Sequence, residues 1–108
     1  MSRLLYVNVN RSYDPTVVTS PKALRKLAKG GWRVTLSSAW SADYLVAVHQ
    51  GRVLAAWDVL GSKPSDAPWS STNPKKRTDV VLGRPVIVPT AWTIDIPHLR
   101  SGAAFRTV

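Results

Sequence analysis

Apolar positions along the chain come in short runs, separated by Gly, Pro and small polar residues, and most runs have the length and period of strands. Leu4 to Asn10 reads Leu-Leu-Tyr-Val-Asn-Val-Asn, β-rich and alternating toward its end, and predicts a strand. Asp14-Pro15 marks a loop over Arg11 to Thr19. Ser20-Pro21 then supplies a cap and a first-turn proline for a helix over Lys22 to Lys29. Its narrow apolar stripe is Ala23, Leu24, Leu27 and Ala28, and Gly30-Gly31 ends it. Trp32 to Leu36 reads as a short strand, and Ser37 to Asp43 as one helical turn with Ala39 and Ala42 facing inward.

Tyr44 to His49 and Val53 to Leu60 predict a hairpin across Gln50-Gly51. Both arms are nearly continuous in apolar residues, which places them in the middle of a sheet. Gly61 to Asn73, rich in Pro and Ser, reads as a long loop. Thr78 to Val88 reads as a strand pair or bent strand broken at Gly83-Arg84-Pro85. Thr90 to Ile96 reads as a short strand or turn, and Ala103 to Val108 as a closing strand. About six strands with one or two short helices predict an α+β domain, a small and partly closed β-barrel.

Composition narrows the class of chain. Its 108 residues predict a single domain, and 44% hydrophobic residues suit a globular one. The absence of Cys excludes disulfides, thiolate metal sites and cysteine nucleophiles. Met-Ser-Arg-Leu-Leu-Tyr alternates with polar residues too soon for a signal peptide, and no apolar run reaches membrane-spanning length. The expectation is a soluble protein of the cytoplasm.

Charge changes the picture more. Fifteen Lys and Arg face six acids, all Asp, for a net charge of +9. Such a field favours polyanions, and counterion release makes nucleic acid the leading partner. Lys22, Arg25, Lys26 and Lys29 recur at helical spacing, and Lys75, Lys76 and Arg77 form a run after the Pro/Ser-rich stretch. These, with Arg11 and Arg33, are the candidate phosphate contacts. A membrane partner is not expected, because the helix lacks the bulky apolar face of an interfacial anchor.

Catalysis is not indicated. His49 and His98 are isolated, Asp58 and Asp79 are a carboxylate pair only if strands bring them together, and Gly30-Gly31 ends a helix instead of opening one. No cofactor or metal is expected. Five Trp against one Phe is the sharper signal, because indole stacks well on a base. Trp57, inside an apolar strand, and Trp40 are read as core, and Trp69, in a polar loop beside the basic run, as a binding residue. Trp32 fits either role. Where the first strand ends, Asn8, Asn10, Arg11, Ser12, Tyr13 and Asp14 offer groups that suit either a turn or the edge of a base.

In this order of parts the chain resembles the PUA superfamily, in particular its EVE and YTH-type readers of modified bases. The resemblance lies in Val7-Asn8-Val9-Asn10-Arg11-Ser12-Tyr13, the helix over Lys22 to Lys29, Gly31-Trp32-Arg33-Val34, Ala42-Asp43-Tyr44-Leu45-Val46-Ala47-Val48 with Gly51, and Trp69 with the Lys75 to Arg77 run. The chain is also similar to small actinobacterial PUA-like domains that bind 5-methylcytosine in DNA. The resemblance implies a pocket walled by Trp32 and Trp69, to which Asn10, Ser12, Tyr13 and Asp14 contribute. A flipped base, 5-methylcytosine in DNA ahead of a base in RNA, would enter it. An RNA-binding module without modification specificity, a small RNA-acting enzyme using His49 or His98, and a protein presenting its basic face to an acidic partner are the competing readings.

Overall fold

The computed structural model describes residues 2–9, 21–28, 32, 34–64, 78–99 and 102–108. Strands β1 (Arg3–Asn8), β2 (Tyr44–His49), β3 (Arg52–Pro64), β4 (Thr78–Val86) and β5 (Ala103–Thr107) form one mixed sheet in the order β4-β3-β2-β1-β5. β1 and β2 run parallel, with Leu4 opposite Tyr44 and Asn8 opposite Val48, while the other pairings are antiparallel. A parallel pair needs a crossover. Helices α1 (Pro21–Ala28) and α2 (Leu36–Trp40) lie within it. None of the described helices is long and apolar enough to cross a membrane.

The central strands are apolar on both faces because both faces are covered. By the two-residue period, Leu5, Val7, Val9, Leu45 and Ala47 point to one side, where they pack with Trp57, Val80, Leu82, the helical Ala28 and Ala39, and Ala42 just beyond α2. Leu4, Tyr6, Val46 and Val48 point to the other and meet Ala56 and Trp92. A 3-10 turn, Thr90–Trp92, anchors that second layer. The Tyr6 hydroxyl donates to the Trp92 carbonyl at 2.8 Å, and the Arg106 guanidinium donates to the carbonyls of Ile94 at 2.6 Å and Ala91 at 3.2 Å. At roughly 1.5–3 kcal/mol for each large buried side chain, the sheet is stabilised from both sides.

The hairpin forms where expected. Gln50 at φ 50° and Gly51 at φ 76° make the tight turn between β2 and β3, two consecutive left-handed residues of the kind that match strand twist.

Elsewhere the structure corrects the sequence reading. The sheet has five strands and is open: β4 and β5 are its edges, and the described residues do not close into the expected partly closed barrel. β3 does not stop at Leu60 but pairs through Pro64, opposite Thr78. The β4 partner supplies ladder bonds that let Gly61 to Pro64, read as loop formers, stay extended. Residues 65–73 of the expected loop lie outside the described residues. Thr78 to Val86 is one strand, and the shifts of register between Trp57 and Val59 and between Val59 and Gly61 absorb the Gly83-Arg84-Pro85 break. Pro85 is tolerated because β4 is an edge strand. The predicted strand at Trp32 to Leu36 reduces to a single bridge at Trp32. Thr35 instead caps α2, its hydroxyl accepting from the Ser38 N–H at 3.2 Å, so Leu36 starts a helix.

Candidate nucleic-acid interface

Of the expected pocket residues, Trp32 lies among the described residues; Asn10, Ser12, Tyr13, Asp14 and Trp69 lie outside them. Of the expected phosphate contacts, Lys22, Arg25 and Lys26 are described, and Arg11, Lys29, Arg33, Lys75, Lys76 and Arg77 are not.

Trp32 is a meeting point of the fold. Its backbone N–H and C=O both bond to Thr78 at 3.0 Å, extending the start of β4 by one residue pair. Thr78 is buried, and its hydroxyl donates to the Val34 carbonyl at 2.6 Å. The indole N–H donates to the Ala28 carbonyl at 2.6 Å, satisfying one of the carbonyls that the end of α1 leaves open. On its other side the ring faces Gly102, where a Cβ would lie 3.6 Å from Cζ3. The Gly102 carbonyl in turn accepts from the Asn8 N–H at 2.7 Å. The end of β1, the end of α1, the start of β4 and the approach to β5 therefore converge on one half-buried indole.

Those neighbours are also where the chain leaves for the other candidate residues. Asn10 to Asp14 follow Val9, Lys29 follows Ala28, Arg33 follows Trp32 itself, and Lys75 to Arg77 run directly into Thr78. With its N–H bonded to the Ala28 carbonyl, the Trp32 indole has no donor left for a ligand.

The basic residues of α1 divide into two kinds. Arg25 is held inside the molecule: one terminal nitrogen donates to the Gly83 carbonyl at 2.7 Å and the other to the Leu82 carbonyl at 2.5 Å. A planar fork suits two successive carbonyls, and it ties α1 to β4. Lys22 and Lys26 are exposed, one turn apart, and face solvent.

Asp58 and Asp79, the candidate carboxylate pair, are not brought together. Asp58 sits opposite Tyr44, whereas Asp79 sits opposite Lys63, five positions along β3 from Asp58, or about 16 Å of strand. A surface depression of about 400 Å³ is lined by Ser2, Asp43, Tyr44, Asp58, Val59 and Leu60. Its two aspartates repel a polyanion, and Asp43 is engaged structurally, its Oδ2 accepting from the Arg3 N–H at 2.7 Å. No group of three or more metal-ligating side chains occurs among the described residues.

The sequence reading placed Trp40 in the core, but 64% of its surface is exposed. It also left Trp92 without a role, whereas that residue is buried at the centre of the second layer. Thr35 was the signal available for Trp40. Read as a cap, it puts Leu36 and Trp40 four residues apart on one side of a helix.

The chain was compared with protein-family profiles, curated proteins and solved structures, and it matches none of them.

Proposed function

We propose that this protein is a non-catalytic nucleic-acid-binding module that takes a flipped base, 5-methylcytosine in DNA by preference, against the indole of Trp32. The observation that carries the reading is the convergence of four chain ends on Trp32, next in sequence to the segments bearing Asn10, Ser12, Tyr13, Asp14, Trp69 and the Lys75 to Arg77 run. The net charge of +9 supports a polyanionic partner, and the exposed Lys22 and Lys26 suit contacts to flanking phosphates. A relation to PUA-type base readers and a place at the bacterial nucleoid belong to the same proposal.

The energetics set what the pocket must do. Flipping costs a few kcal/mol of lost stacking and pairing, which stacking on Trp32 and hydrogen bonds to the base edge must recover. Because the Trp32 N–H already binds Ala28, edge hydrogen bonds would have to come from the first-loop residues. A methyl group adds about 0.8 kcal/mol of apolar burial, or about fourfold in affinity, unless the slot also excludes the unmethylated base.

The test is binding of matched methylated and plain DNA duplexes, and of structured RNA, at two salt concentrations. The expected result is tighter binding of the methylated duplex at both, with affinity falling steeply as salt rises. Equal affinity for the two duplexes would remove base reading and leave phosphate binding alone. RNA outcompeting every duplex would favour an RNA-binding module.

A further inference from the structure

We propose that Trp40 is a second stacking platform, which takes an unpaired nucleobase a few nucleotides away from the one at Trp32. The inference rests on the nucleic-acid reading above but on a different part of the molecule. Trp40 ends α2, and its side chain lies across Gly61 of β3. A Cβ at Gly61 would lie 3.1, 3.3 and 3.4 Å from three successive ring atoms, Cζ3, Cη2 and Cε3. An edge-on approach would leave the outer two of these noticeably farther away than the middle one. Gly61 thus meets the face of the ring, and with 64% of the residue exposed the opposite face is open to solvent.

The mount is rigid. Thr35 caps α2, and the Ser62 hydroxyl donates to the Leu36 carbonyl at 2.7 Å, fastening the helix to the strand beneath it. Leu36, 43% exposed, flanks the indole one turn away. A large exposed aromatic held in a single orientation loses little conformational freedom when a partner stacks on it.

Position and charge select the partner. Trp32 joins the ladder through Thr78, opposite Pro64, and Trp40 covers Gly61, three residues away along β3. That is about 10 Å along the strands, and Trp32 stands two strand spacings from β3, about 10 Å across them, so the two sites are about 14 Å apart, or about four steps of a stacked nucleic-acid strand at roughly 3.4 Å each. Lys63 is exposed between them but stands opposite Asp79 in the ladder, so the attraction to phosphate comes from the net charge of +9 and not from one side chain. Bases inside a duplex present no free face. An open indole therefore stacks on an unpaired base, largely without regard to sequence.

The experiment compares the full-length wild type with Trp40→Ala and Trp40→Phe. Each is titrated into a labelled single-stranded oligothymidylate and into a duplex of equal length, at two salt concentrations. Trp40→Ala is expected to weaken single-strand binding about tenfold with its salt slope unchanged, and to leave duplex binding within about twofold. Trp40→Phe is expected to retain most of the affinity, and the exposed position leaves folding intact, checked by circular dichroism. Single-strand binding by Trp40→Ala within about twofold of wild type overturns the inference while leaving the base-reading proposal standing. Self-association of the wild type that Trp40→Ala abolishes, with oligonucleotide binding unchanged, assigns the face to a second copy of the chain and also overturns it. A wild type that binds neither nucleic acid at low salt overturns the underlying reading, and this inference with it.

Discussion

Trp32 joins the start of β4 and Trp40 lies over the neighbouring β3, eight residues apart in sequence, yet the fold holds them in opposite ways. Trp32 is built in: both backbone groups belong to the β4 ladder, its indole N–H is bonded to the end of α1, and its ring is half-buried against the core. Trp40 is laid on: one face rests on Gly61 and the rest is open. The built-in ring organises the chain ends around it, so its removal is paid for in stability. The laid-on ring supports little structure, so its removal is felt by a partner. An aromatic count cannot make this distinction, which depends on what each ring leans against.

The largest effect that bears on the comparison is expected at Trp32. Trp32→Ala should lower stability by about 3 kcal/mol, the lower end for a large aromatic because the ring is only half-buried; urea unfolding measures it. Arg25→Ala comes next, at about 2 kcal/mol, because two charge-assisted bonds to the Leu82 and Gly83 carbonyls are lost. Arg25→Lys should recover less than half of that, since an ammonium cannot span both carbonyls. If Lys restored full stability, the fork between α1 and β4 would not matter as described.

Trp40→Ala should cost about 1 kcal/mol or less in the same unfolding assay. A loss equal to that of Trp32→Ala would erase the difference between the two sites. Smallest in stability, within about 0.5 kcal/mol, is the double variant Lys22→Glu with Lys26→Glu, because both side chains are exposed. Its readout is binding: the slope of log affinity against log salt should fall by about 2 in magnitude. An unchanged slope would remove α1 from the interface.

Much of the element order was legible along the chain. The apolar run at Leu45 to Val48 is buried on both faces, as its continuity predicts, Leu4 to Val7 forms the strand its β-rich sequence predicts, and Gln50-Gly51 makes the turn it advertises. Pro21 opens α1, and Ala39 and Ala42 are buried as expected. The misses have two causes. Gly61 and Pro85 have a local meaning that a distant partner overrides, since β4 keeps Gly61 extended and the edge position accommodates Pro85, whereas Thr35 is a local cap, bonded to the Ser38 N–H three residues on, that was read as strand.

For the candidate site, charge and residue type were legible but disposition was not. Lys22 and Lys26 are exposed at helical spacing, as the pattern suggests. Arg25, on the same helix, turns inward because β4 offers it two carbonyls. By itself, then, the sequence determined a small α+β domain with a strongly positive field, its apolar periodicity and charge being properties of residues near one another in the chain. Only the tertiary structure decided that the sheet stays open, that strand and helix ends gather at Trp32, and that Trp40 lies across Gly61. Each of these depends on contacts between residues far apart in sequence, whose free energies no local pattern encodes.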